Sequence, residues 1–285
     1  MNDILEGQRK FSFFNSKSGK TEGAITVEQV DIRDEYFLLD FIKSGLQISL
    51  VVGIDFTGSN GNPSNKSSLH YFDPAHGDSL NQYQQTILSV GNILLNYDQD
   101  KMVPVYGFGA RTNFPTGNVP KSKVLHFFPC SGDFASPAGF GVEGVFELYQ
   151  HCIKHVSLDG PTYFAPLLKE IVEYTKASFA ADPWAYTVLL LLTDGDIHDM
   201  PATIDAIVEG SYLPLSIIIV GVGECKFDNM DALDSDDKVD SNNNSFYREA
   251  KELLLEISCN LCHLEITKAS LKSWQLRSHW SCLTK

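Results

Sequence analysis

The residues with the most chemical content sit where apolar runs end. In Val52-Gly53-Ile54-Asp55-Phe56-Thr57-Gly58-Ser59-Asn60-Gly61 a buried-strand pattern stops on a carboxylate, and two hydroxyls follow at alternate positions. Leu192-Thr193-Asp194-Gly195 closes a second apolar run in the same way, and Gly160-Pro161-Thr162 opens a helical pattern. Asp55, Thr57, Ser59, Thr162 and Asp194 thus offer two carboxylates and three hydroxyls from three loops. Oxygen-only ligation suits hard divalent ions, and a small set of protein oxygens completed by water suits octahedral Mg²⁺ better than an all-protein Ca²⁺ cage. Capping of a following helix would also use such side chains, but it needs one of them and does not need three loops.

The elements that must position these groups read as short apolar strands alternating with helical patterns. That alternation predicts an α/β fold: a doubly wound, mostly parallel central sheet with helices on both faces. In an open parallel sheet, ligand sites lie at the carboxyl ends of strands, where Asp55 falls. Expected strands are Gln47 to Ile54, Met102 to Phe108, an edge strand from Lys123 to Phe128, Trp184 to Leu192, Leu215 to Val220 and a last strand from Leu261 to Ile266. Expected helices are Gln82 to Asn96, Val142 to His155, Tyr163 to Phe179 and Tyr247 to Ile257. Before them, Phe11 to Phe14 and Ala24 to Val27 read as two short strands, too few for a stable domain alone. Asp231 to Ser245 reads as a solvated acidic loop.

Composition narrows the partners. With 22 basic and 36 acidic residues the chain carries a formal charge of -14, which repels phosphate backbones and argues against a nucleic-acid partner. The first residues supply neither the basic start nor the apolar stretch of a signal peptide, and no apolar run approaches the roughly 20 residues of a bilayer span, so a cytoplasmic address is expected. At that address the six cysteines are expected as thiols. Cys259 and Cys262, with His279 and Cys282 beyond them, have the ligand types and spacing of a possible zinc site, against a reading as buried thiols followed by a tail. Cys259-x-x-Cys262-His263 also matches a c-type haem attachment pattern, which the cytoplasmic address disfavours. His70, His126, His151, His155 and His198 form no motif with a nucleophile, and no enzymatic activity is expected.

The order Asp-x-Thr-x-Ser, then Thr, then Asp-Gly resembles the metal-ion-dependent adhesion site (MIDAS) of von Willebrand factor A domains. The wider wording is more specific: Gly53 to Pro63, Ser68-Leu69-His70-Tyr71, Asp100-Lys101-Met102, Gly107-Phe108-Gly109-Ala110, Gly160-Pro161-Thr162 and Ser216 to Gly223 resemble copines, over roughly Gly19 to Asp237. The resemblance implies Mg²⁺ or Mn²⁺ held by Asp55, Thr57, Ser59, Thr162 and Asp194. It also implies intracellular protein partners that present an acidic side chain to the metal. Copines generally carry two C2 domains that bind phospholipid with Ca²⁺, so calcium-dependent association with the plasma membrane is implied by family. The expected division is residues 1–30 as the last strands of a C2 domain, 31–45 as linker, 46–267 as the A domain and 268–285 as a divergent tail. The Asp-rich C2 loops are expected to be missing here. Two alternatives follow: a stand-alone metal-dependent interaction module without membrane binding, or a ubiquitin-ligase-like component with a zinc-binding tail.

Overall fold

A computed structural model describes residues 10–15, 17–27, 38–72, 80–195, 197–223 and 233. The chain divides into two units, Met1–Phe37 and Leu38–Lys285. In the first, β1 (Lys10–Phe14) and β2 (Thr21–Thr26) form an antiparallel hairpin. Its turn is built on Asn15, whose side-chain oxygen accepts from the backbone N–H of Lys17 and Ser18.

The second unit opens with α1 (Leu38–Lys43), inside the stretch expected as linker. Then come β3 (Gln47–Asp55), α2 (Gln82–Leu94), β4 (Met102–Phe108), β5 (Ala110–Thr112), β6 (Val124–Leu125), β7 (Phe128–Pro129) and β8 (Ala138–Phe140). They are followed by α3 (Gly141–Ile153), β9 (Val156–Leu158), α4 (Ala165–Ala181), β10 (Ala185–Thr193), α5 (Met200–Gly210) and β11 (Leu215–Gly221). The main sheet runs β11-β10-β3-β4-β7, with β8 also paired to β4. β11, β10, β3 and β4 are mutually parallel, whereas β7 and β8 are antiparallel to β4. This is the expected α/β class.

The central strands are buried on both faces, which is why they read as unbroken apolar runs. Alternate residues go to opposite sides. Leu50, Val52, Ile54, Val188, Leu190 and Leu192 pack with Tyr83 and Ile87 of α2 and with Val145 and Tyr149 of α3. Val51, Leu189 and Leu191 pack with Leu167, Leu168, Ile171 and Val172 of α4 and with Ala206 of α5. One polar side chain fixes the entry to this sheet: buried Asp98 accepts from Leu50 N at 3.0 Å and from Lys101 N at 2.9 Å, tying the turn before β4 to β3.

Two features depart from the sequence reading. The stretch Lys123 to Phe128 is not one edge strand. Val124–Leu125 pairs with β5 in a separate three-stranded sheet, and Phe128–Pro129 pairs with β4. The direction changes at His126 and Phe127 because Leu125 O is taken by Gly109 N while the Phe128 ring is driven into the core. The helix α5 was not expected at all. The helix Tyr247 to Ile257, the strand Leu261 to Ile266, the acidic loop and the zinc candidates Cys259, Cys262, His279 and Cys282 lie outside the described residues, except for Leu233 within the loop.

Candidate metal centre

The site forms where the sheet changes winding direction. From β3 the chain crosses through α2 to β4 on one side, and from β10 it crosses through α5 to β11 on the other. Loops leaving two adjacent strands in opposite directions open a crevice at their carboxyl ends. Asp55 is the last residue of β3, and Asp194 follows the last residue of β10.

Asp55 is fully buried, and both of its carboxylate oxygens are held. Oδ1 accepts from Thr57 N at 2.8 Å and Oδ2 from the Thr193 hydroxyl at 2.6 Å. The chain then makes a short 3-10 turn at Gly58–Asn60. This turn places the Thr57 hydroxyl 2.9 Å from that of Ser59, and the Ser59 hydroxyl donates to Asp194 Oδ1 at 2.8 Å. Asp194 is 1% exposed, whereas Ser59 is open to solvent, so the cluster is reached from the Ser59 side. Four of the five predicted residues therefore come together in one hydrogen-bonded chain.

Thr162 stands on the third loop. Asp159 bridges to Thr57 and its carbonyl accepts from Gly58 N, while Thr162 O accepts from His198 N at 3.0 Å. The Thr162 loop is thereby fastened to both others. Its hydroxyl makes no hydrogen bond among the described residues.

Several supporting residues were not read as part of the site from sequence, although Asn60, His70 and Gly109 stand in the stretches that resemble copines. His70, fully buried, places Nε2 2.8 Å from the backbone oxygen of Asp55 and Nδ1 2.7 Å from the Tyr149 hydroxyl. A carbonyl can only accept, so the network assigns the proton to Nε2 and makes Nδ1 the acceptor from Tyr149. Tyr149 in turn accepts from Asn81 Nδ2 at 3.2 Å. The His70 ring is stacked on Tyr83, with centroids 4.3 Å apart, and on Phe56. Buried Asn60 donates to Thr57 O and accepts from the Tyr83 hydroxyl. Gly109 is required beside them: at φ +80° it leaves space that a Cβ would fill, 2.3 Å from Thr57 Cγ2.

Electrostatically the pair is unbalanced. Burial raises the pKa of Asp55, opposed by the hydrogen bonds from Thr193 and Thr57. Burial, and then the charge of Asp55, push Asp194 up to about 6. Among the described residues neither carboxylate is paired with a Lys or Arg. Among the described residues no group of three or more His, Cys, Asp or Glu side chains is placed to hold a metal, so the donors here are two acids plus hydroxyls. Such a set fits a hard divalent cation, whose charge would offset that of two buried carboxylates.

The copine family model matches residues 68–251. Over 242 residues the chain is 42% identical to Copine-A of Dictyostelium discoideum, covering 82% of this chain and 39% of that protein. The chain belongs to the copine family. This copine chain thus spans about two fifths of the length of the curated relative it matches. Among solved structures it is similar to manganese-loaded Plasmodium vivax TRAP protein, at 14% identity and TM-score 0.44, over 73% of this chain and 72% of that one. It is also similar to proximal thread matrix protein 1 from the mussel byssus, at 15% identity and TM-score 0.36, over 62% and 38% of the two chains. Likenesses this distant carry nothing about function. No helix among the described residues of this copine chain is long and apolar enough to cross a membrane.

Proposed function

We propose that this copine chain is a metal-dependent protein-interaction module. Its residues Asp55, Thr57, Ser59, Thr162 and Asp194 would hold Mg²⁺ or Mn²⁺, which when bound supplies a Lewis-acidic position for an acidic side chain of an intracellular partner. The observation that carries this reading is the pair of buried acids, Asp55 and Asp194, joined through the Thr57 backbone N–H and hydroxyl and the Ser59 hydroxyl, and lacking a basic partner among the described residues. Each residue has a distinct task. Asp55 and Asp194 supply charge, Thr57 and Ser59 supply neutral oxygens, and Thr162 closes the site from the third loop. The role is binding, without catalysis. Within a longer copine, the module would be the recruiting arm of a protein that meets phospholipid through Ca²⁺ at the plasma membrane.

Calorimetric titration with Mg²⁺ and Mn²⁺ tests the site. Asp55→Ala is expected to abolish binding, and unchanged affinity in that variant overturns the assignment. A liposome pull-down with and without Ca²⁺ tests membrane attachment separately: retention by this chain alone would mean that the module itself binds lipid.

A further inference from the structure

His151 and His155 lie at the end of α3, remote in chemistry from the acids of the main site. His151 occupies the last turn, and His155 follows four residues later, just beyond Ile153. His155 lies past the C-cap residue Lys154, in a turn closed by its N–H donating to Cys152 O at 2.8 Å. Their ring centroids are 4.5 Å apart. The buried Phe114 ring backs both imidazoles, 5.7 Å from His151 and 5.9 Å from His155, and limits their movement.

The hydrogen bonding selects a tautomer. His155 Nδ1 lies 2.8 Å from the carbonyl oxygen of His151, so Nδ1 carries a hydrogen and, in the neutral ring, Nε2 holds the lone pair. A backbone carbonyl at one ring nitrogen is the arrangement that orients metal-binding histidines. The His151 ring makes no hydrogen bond among the described residues and is only partly buried. Burial, then His155 and Lys154, lower its pKa, which favours the neutral, ligating form at neutral pH. Both rings also sit at the negative end of the helix dipole, in a chain of net charge -14, and both features favour a cation.

We propose that His151 and His155 form a second metal site, selective for a borderline-soft divalent ion such as Zn²⁺. Two imidazole nitrogens bound to one zinc at about 2.0–2.1 Å can be no more than roughly 4.2 Å apart, a span that rings this close can meet. No third His, Cys, Asp or Glu joins them among the described residues, which leaves the remaining coordination positions to water. Imidazole ligands prefer Zn²⁺ over Mg²⁺, the reverse of the oxygen set around Asp55, so the two sites would take different ions from one solution.

The test is imidazole ¹⁵N NMR of the full chain during Zn²⁺ titration in saturating Mg²⁺. The two ring signals are identified by their loss in His151→Ala and His155→Ala. Both are expected to shift together with added Zn²⁺ and to ignore further Mg²⁺. In His155→Ala the zinc midpoint for His151 should rise at least about tenfold. Signals that stay put under Zn²⁺, or a His151 response indifferent to loss of His155, would overturn the proposal. His155 lies outside the helix, so its variant carries the test even if His151→Ala fails to fold. Zinc bound by the tail cysteines leaves these two ring signals unmoved and so counts against this pair.

Discussion

The Thr193 hydroxyl donates to Asp55 Oδ2 at 2.6 Å, across adjacent strands and 138 residues of chain. With Thr57 N on the other oxygen, it fixes the plane of the carboxylate before any cation arrives. Thr193→Val keeps the shape and removes the donor. Mg²⁺ affinity should fall about 10–100-fold, as for other losses of a group that orients a ligand, with the fold retained. Calorimetry alongside circular dichroism measures both.

Protons should compete with the metal. Asp194 has a pKa of about 6, raised by burial and by Asp55 from an ordinary 3.8. Between these values the folded state binds more protons than the unfolded chain. The stability that this contributes is full below the unfolded pKa and is lost as pH rises through about 6. Metal-free protein should therefore lose this contribution on passing from pH 4 to about 7, and Mg²⁺ affinity should rise over the upper part of that range and then level off. Melting curves in chelator and in Mg²⁺ across this range should converge at low pH and separate above about 6.

His70 provides an opposite pH signature. Burial lowers its pKa from 6.5 to about 3, so the stability it contributes is present above 6.5 and is lost as pH falls toward 3. Tyr149→Phe removes the donor to Nδ1 and should cost about 1–3 kcal/mol in denaturant unfolding, because a buried acceptor is left unpaired.

Gly109→Ala should weaken metal binding without touching a ligand. The backbone at φ +80° costs a residue with a Cβ roughly 1–2 kcal/mol, and the added methyl meets Thr57 Cγ2. Lower melting temperature together with lower Mg²⁺ affinity is expected. Unchanged affinity would show that Thr57 can shift without consequence.

The four parallel strands were legible because burial on both faces writes unbroken apolar runs into the sequence. The helix Met200–Gly210 was not read, although Met200, Ile204, Ile207 and Val208 stand at helical spacing and Met200 and Ile207 pack on the core; its fully buried residues are the small or polar Thr203, Ala206 and Gly210. Its start is also marked by Asp199 at the N-cap position and Pro201 in the first turn, both favoured there. Strands of two or three residues such as Val124–Leu125 are defined by their partners and have no period of their own. The site divides in the same way. Asp55, Thr57, Ser59 and Asp194 stand out by type at strand ends. The contacts among His70, Tyr149 and Asn81 join three distant segments and exist only after folding.

The link from Ser59 to Asp194 spans 135 residues and closes only when β3 and β10 lie side by side. A chain still emerging from the ribosome could hold Asp55 and its hydroxyls yet lack the second acid until β10 had been made. A cation binding there would act as a clasp on the finished sheet. By mass action its binding free energy would add to the stability of the native state alone, and leave partly folded forms unprotected.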